Sequence, residues 1–155
     1  METRKVYLLE DDWNISNIFT TKNSWLESLR YNLDVAVEYE DCTEEQANKL
    51  YEEMESGTKT NSNWVNAWWY SHSKVDVFYE DENVMLVSHY HQTLDKAVVS
   101  IYFKDEISYT TDMNDGVCIT EEDEDIEIED TLKKYINKTN VNYQAIINDL
   151  REYWG

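Results

Sequence analysis

The sequence predicts a single α+β domain over residues 1–155, with an antiparallel sheet, about four helices and an acidic surface. Three short runs rich in β-branched and aromatic residues follow one another within 75–103. Connections of only four and six residues join them, which is typical of antiparallel strands. Amphipathic stretches with helical spacing stand on both sides of this block. The chain has no proline, only three glycines and no internal repeat, so nothing indicates a flexible linker between two domains.

The first forty residues predict a strand, a helix and a second strand. Residues 4–9 form a short apolar-rich run that predicts a strand. Ser24 is a candidate cap for a helix that carries three leucines on one side. Apolar and polar residues then alternate over 33–39, which predicts a strand directly after the helix.

Residues 43–57 predict the clearest helix. Thr43 and Gln46 have the spacing of a capping box, and Gly57 can end the helix in a left-handed conformation. Apolar residues recur at helical spacing at Ala47, Leu50, Tyr51 and Met54. Three glutamates fall on the opposite side and predict an outward acidic stripe, namely Glu45, Glu52 and Glu55.

The segment NWVNAWWY, residues 63–70, predicts a further helix. Its Trp64 and Trp68 are four residues apart, so we expect both to pack in the core. The remaining strands and helices are predicted at 75–79, 84–90, 97–103, 131–138 and 143–154.

The run EEDEDIEIED, residues 121–130, holds eight carboxylates in ten positions and fits two structures. As a strand, it would point Ile126 and Ile128 inward and the acids between them outward. As a helix, it would place Ile128 on one face with apolar residues of 131–136, and its early acids would favour the helix dipole. We favour a strand-like 124–128 that leads into the next helix. In either structure most of these carboxylates face water, because an isolated buried charge is costly.

The net charge limits the classes of partner. The chain carries 33 acids and 13 bases, a formal net charge of −20, against a magnitude of about 2 to 8 for a typical small domain. Such a field repels nucleic acid and anionic membrane, so we expect neither to bind directly. It attracts basic proteins and speeds their encounter.

The acids are concentrated in two regions. Between 105 and 132 there are twelve acids and no Lys, Arg or His, and 38–55 has eight acids opposed only by Lys49. A surface selected for solubility alone would mix the signs. We therefore predict that a partner binds a set of acids in the first region: Glu121, Glu122, Asp123, Glu124, Asp125, Glu127, Glu129, Asp130, Asp105, Glu106, Asp112 and Asp115.

The cysteines and the N-terminus indicate a cytoplasmic protein. Cys42 and Cys118 lack metal-ligand spacing, which favours reduced thiols. The first residues, METRKVYLLEDDW, lack the long apolar stretch of a signal peptide. No run approaches the ~20 apolar residues that a membrane span requires.

No catalytic motif is present: there is no GxSxG, no glycine-rich phosphate loop and no HExxH. We therefore predict a protein that is not an enzyme and that needs no cofactor or metal. Two metal alternatives stay open at this point. The loop before Gly116 resembles an EF-hand loop, although Met113 would fall on a ligand position. His89 and His91 share a strand face and could bind zinc with His72 or a carboxylate.

Together these features predict an acidic inhibitor of a basic nucleic-acid-binding protein, either a nuclease or a regulator. DNA presents one charge per ~3.4 Å on each strand, and a β-strand rises ~3.3 Å per residue, so rows of carboxylates can approximate a row of phosphates. In charge, size and aromatic content the chain resembles the acidic inhibitors that phages make against restriction and CRISPR enzymes. The alternative is an immunity-type or antitoxin-type neutraliser of a basic toxin or nuclease, with aromatic anchors, and a metal-dependent or other enzyme ranks third. The oligomeric state is left open.

Overall fold

The computed structural model of the protein describes residues 2–91 and 93–155. Its strands are β1 (Glu2–Glu10), β2 (Ile15–Phe19), β3 (Trp69–Glu80), β4 (Val84–His91), β5 (Lys96–Asp105), β6 (Ser108–Asp112) and β7 (Cys118–Ile119). Its helices are α1 (Lys22–Glu38), α2 (Glu44–Ser56), α3 (Asp125–Ile136) and α4 (Tyr143–Trp154). The predictions of four helices and of an antiparallel sheet are therefore confirmed.

The sheet closes into a six-stranded barrel. The strands follow the order β4-β3-β1-β2-β6-β5, and β4 also pairs with β5, which closes the ring. The short β7 pairs with the outer part of β5 at Val99 and Ser100. The strands predicted at 4–9, 75–79, 84–90 and 97–103 are present within β1, β3, β4 and β5, whereas the short β2, β6 and β7 were not predicted.

Successive side chains of each strand point alternately into the barrel and out of it, and apolar side chains lie on both faces. The interior cluster contains Val6, Ile18, Val75, Val77, Met85, Val87, Tyr102 and Tyr109. The outer wall is covered by two helix pairs. One pair, α1 and α2, packs through Trp25, whose indole Nε1 donates to the carbonyl of Leu8 at 2.9 Å. The other pair, α3 and α4, packs Leu132 and Leu150 against β4 and β5.

Helix α1 begins earlier and ends later than the sequence predicted. Thr21, not Ser24, is the N-cap, and its hydroxyl accepts from the backbone N–H of Ser24. The strand predicted over 33–39 is wrong, because α1 continues through it to Glu38. Alternating apolar residues there also satisfy helical spacing, and the packing of Leu33 and Ala36 decides in favour of the helix. The capping box and the left-handed Gly57 of α2 are confirmed.

The helix predicted over 63–70 is wrong. Val65 and Trp68 exchange two backbone hydrogen bonds, of 2.7 and 2.9 Å, across a tight turn. Both central residues of the turn, Asn66 and Ala67, have positive φ, as a two-residue hairpin turn requires. Trp64 is exposed rather than buried, while Trp68 packs partly against the cluster under α1 and α2.

The strand favoured over 124–128 is also wrong, because α3 begins at Asp125. The side chain of Glu124 accepts from the N3 backbone N–H, and the Glu127 carboxylate accepts from the Glu124 N–H at 3.1 Å, which forms a capping box. Ile128, Leu132 and Ile136 recur every fourth residue and are all buried. The helical spacing of these three residues thus overrides the short alternation. Among the residues described, no helix is both long enough and apolar enough to cross a membrane.

Candidate functional site

The acidic segment, residues 121–130, runs from the end of β7 into the first turns of α3. Its carboxylates are exposed except those of Asp123 and Glu129, which are half-buried. Ile128 is the single buried side chain of the segment. The segment therefore presents closely spaced carboxylates to solvent, and the buried side chain of Ile128 attaches it to the core.

Several of these acids have local structural roles. Glu124 and Glu127 form the capping box of α3, and Asp123 accepts from the backbone N–H of Thr120 at 3.0 Å. Acids at a helix N-terminus also interact favourably with the helix dipole. Part of the acidity is therefore explained by helix initiation alone.

Three basic residues contact the acidic segment. Lys96 donates to Glu122 at 2.8 Å and lowers the pKa of that carboxyl. Arg151 donates to Asp125 at 2.8 Å and also binds the carbonyls of Glu121 and Asp123, so α4 holds the segment in place.

The third contact, from Lys133 to Glu129, is 3.5 Å long. All three pairs reach solvent, so each contributes little stability. Glu121 and Asp130 make no ion pair within the described residues.

The other predicted acids are not brought to this surface. Asp105 and Glu106 lie at the far end of β5 from Lys96, the residue that binds Glu122. A ten-residue strand spans about 30 Å, so these two groups of acids are well separated.

Asp112 instead caps the short 3-10 turn Met113–Asp115, by accepting from the Asn114 N–H at 2.9 Å. Gly116 follows this turn in a left-handed conformation, and Asp115 lies exposed within the turn.

A second candidate site was not predicted from sequence and lies inside the barrel. The pairing of β3 with β4 stops at Val77 and Val87, so the two strands separate beyond that point. A cavity of about 330 Å³ opens there. Apolar side chains Leu8, Ile18 and Val75 line it together with polar groups of Glu10, His89 and Tyr102.

The polar groups form a hydrogen-bonded chain from Ser16 on β2 through Tyr102 on β5 to His89 on β4, with Glu10 of β1 beyond its end. The Tyr102 hydroxyl lies 2.8 Å from Ser16 Oγ and 2.8 Å from His89 Nδ1. On the other side of the ring, His89 Nε2 lies 3.7 Å from Glu10 Oε2, which is beyond hydrogen-bonding distance.

Burial controls the protonation of this chain. It raises the pKa of Glu10 and the pKa of Tyr102. Burial, with a smaller effect from His91, lowers the pKa of His89 to about 4. At neutral pH His89 is therefore a neutral ring and Tyr102 a neutral phenol, and both are available for hydrogen bonding.

The three histidines lie in two parts of the barrel. His89 and His91 lie on β4, whereas His72 packs on the outer wall against Tyr7 and Trp25. Within residues 2–91 and 93–155, no three His, Cys, Asp or Glu side chains are grouped to hold a metal ion. Both cysteines are free thiols, and burial, with Asp123, raises the pKa of Cys118 to about 11. A thiol with that pKa is a poor nucleophile at neutral pH.

Comparison with known proteins adds no relative to this description. No family model matches the chain, and no curated protein or solved structure is detectably similar to it.

Proposed function

We propose that this protein is a non-enzymatic, cytoplasmic inhibitor that binds a basic nucleic-acid-binding protein by imitating the phosphates of DNA or RNA. The proposal takes residues 1–155 as one acidic α+β domain that needs no metal or cofactor. One observation carries it: the acidic segment is anchored at one end of α3 and its exposed carboxylates far outnumber the bases that contact them.

The local contacts narrow the set of acids that serve the partner. Glu124 and Glu127 cap the helix, and Asp125 is occupied by Arg151. Within the described residues, Glu121 and Asp130 form neither a capping hydrogen bond nor an ion pair. Glu122 pairs with the half-buried Lys96, and Glu129 pairs with the exposed Lys133. An Arg of the partner can replace either lysine, because a bidentate guanidinium–carboxylate pair is the stronger contact.

The partner is first recovered from native cells by its binding to this protein. The experiment then compares the affinity of two variants of equal net charge for that partner. The test variant carries Glu121→Gln, Glu122→Gln, Glu129→Gln and Asp130→Asn, which leaves the capping box intact. The matched control neutralises four acids of α2, at Glu45, Glu52, Glu53 and Glu55.

We expect the test variant to lose affinity steeply and to reduce the salt dependence of binding, because phosphate-like contacts are many and ionic. The control removes the same charge elsewhere and is expected to lose only the weaker long-range attraction. Equal losses in the two variants would show that net charge, not this surface, attracts the partner.

A second candidate, an immunity-type neutraliser, is favoured by a different observation. Trp13 is 76% exposed at the β1–β2 turn, yet its backbone is held by Asp11 and by Asn114, whose amide donates to the Trp13 carbonyl at 2.7 Å. A rigid exposed tryptophan beside acids is typical of a binding hot spot. In that case the single substitution Trp13→Ala would abolish binding, whereas the phosphate-mimic proposal expects this substitution to change the affinity very little.

A further inference from the structure

The barrel cavity contains a carboxylate, Glu10, that pairs with no Lys or Arg of the described residues. Glu10 lies at the end of β1 with its side chain only 17% exposed. Within the described chain it accepts no hydrogen bond from a side chain, and the Nε2 of His89 lies 3.7 Å from its Oε2. A carboxylate that is mostly shielded from water is normally paired or hydrogen-bonded, so Glu10 offers its oxygens as acceptors to a molecule in the cavity.

The contacts of His89 allow a ring tautomer in which Nε2, the nitrogen nearer Glu10, is an acceptor. If Nδ1 donates to the Tyr102 hydroxyl, the hydroxyl donates to Ser16 and Nε2 keeps a free lone pair. Nε2 and the Glu10 carboxylate are then both acceptors, which fits their separation of 3.7 Å. A donor placed between them could reach both at normal hydrogen-bonding distance.

The surroundings of Glu10 favour a ligand that combines a positively charged hydrogen-bond donor with an apolar group. Leu8, Ile18 and Val75 supply an apolar lining, and the volume of about 330 Å³ lies in the range of small-molecule sites. Lys74 lines the cavity, but it is exposed and makes no ion pair with Glu10. The carboxylate and the net charge of −20 both disfavour an anion.

We propose that this cavity binds a small organic amine, with its ammonium group between Glu10 and His89 and its apolar part against Leu8, Ile18 and Val75. The opening between β3 and β4 is the entrance. This site uses the interior of the barrel and is independent of the acidic segment, so either proposal can fail without the other.

The test compares three probes of one shape and different charge: benzylamine, benzyl alcohol and benzoate. Binding to the full chain is followed at neutral pH by calorimetry and by shifts of the His89 ring nitrogens in NMR spectra. We expect benzylamine to bind best and benzoate worst, and we expect benzylamine to shift His89 Nε2.

Two variants assign the affinity to the site. Glu10→Gln preserves the size of the side chain and is expected to weaken benzylamine about tenfold or more, the loss of one charge-assisted hydrogen bond, while benzyl alcohol is little changed. Glu45→Gln removes the same charge from exposed α2 and is expected to leave benzylamine binding unchanged.

A third variant, Val75→Phe, fills the cavity and should exclude all three probes. The proposal is overturned if benzylamine fails to bind at millimolar concentration, binds no better than benzyl alcohol, or keeps its affinity in Glu10→Gln. It is equally overturned if benzoate binds best, since Lys74 rather than Glu10 would then govern the site. An amide spectrum of each variant confirms that it is folded.

Discussion

The acidic segment and the barrel cavity use the same functional group in opposite ways. At 121–130, eight carboxylates are crowded together, but most face water, where each costs little and contributes little. In the cavity a single carboxylate, Glu10, is enclosed near His89 and Tyr102, where its charge is poorly screened. The first region suits many shared contacts with a large basic partner. The second suits one directed contact with a small molecule, so the environment of a charge matters more than the number of charges.

The largest expected effect separates buried from exposed positions within the acidic segment itself. Ile128 is 1% exposed and Ile126 is 65% exposed, two residues apart on α3. We expect Ile128→Ala to lower the free energy of unfolding by about 2–5 kcal/mol, because it leaves a cavity under the helix. Ile126→Ala should change it by less than about 0.5 kcal/mol. Urea unfolding of both variants makes the comparison, and equal losses would contradict the packing of α3.

A smaller effect comes from the cavity and depends on pH. The pKa of His89 is lowered from 6.5 to about 4, so between these values the unfolded chain binds a proton that the folded protein does not. Stability therefore falls as the pH drops through this window, by up to about 3 kcal/mol. Glu10, whose pKa is raised, has the opposite effect on stability as the pH falls. Its contribution is common to the parent protein and to a variant that lacks His89.

His89→Gln should remove this part of the acid-side decline. Urea unfolding of both proteins from pH 7 to pH 4 measures it as the difference between two curves, which cancels the contributions of the distant carboxylates. Parallel curves would show that His89 takes up its proton in the folded protein as readily as in the unfolded chain.

The hydroxyl chain of the cavity gives the next effect. Tyr102→Phe removes the link between Ser16 and His89 and leaves both buried groups short of a partner. We expect a loss of about 1–3 kcal/mol in the free energy of unfolding. Tyr109→Phe is the matched control in the same barrel, because its hydroxyl makes only a 3.4 Å contact with the Asp81 carbonyl. A control loss as large as that of Tyr102→Phe would contradict the polar chain.

The smallest effect on stability is expected at the exposed acids. The variant that neutralises Glu121, Glu122, Glu129 and Asp130 should unfold within about 1 kcal/mol of the parent, and at low salt it should be the more stable, since self-repulsion falls. Added salt should narrow the difference because it screens the same repulsion. Unfolding of the variant under native conditions would mean that these acids are structural and would remove the basis for calling them a binding surface.

Local signals were readable from the sequence wherever a few neighbouring residues decide the structure. The capping box at Thr43 and Gln46 and the strands around 75–103 are of this kind. Where a pattern fits two structures, contacts with residues distant in sequence decide between them. The alternation at 33–39 fits a strand, yet these residues continue α1 because Leu33 and Ala36 are buried on its inner face. The acidic segment could be found by counting residues, but its pattern fitted both a strand and a helix, and the packing of Ile128 with Leu132 and Ile136 decides in favour of the helix.

The cavity was beyond reach of sequence reasoning for a physical reason. Glu10, His89 and Tyr102 come from β1, β4 and β5, and only closure of the barrel brings them together. His89 did stand out in the sequence as a possible zinc ligand beside His91, although the structure places it next to a tyrosine and a carboxylate.

Competition with nucleic acid tests the central claim most directly. The identified partner is bound to labelled DNA or RNA at constant ionic strength, this protein is added in increasing amounts, and the species are separated in a native gel. The account predicts release of free nucleic acid in step with formation of the partner–protein complex. It also predicts much weaker release by the variant neutralised at Glu121, Glu122, Glu129 and Asp130. A slower-migrating species that holds partner, protein and nucleic acid together, with no free nucleic acid released, would contradict phosphate mimicry.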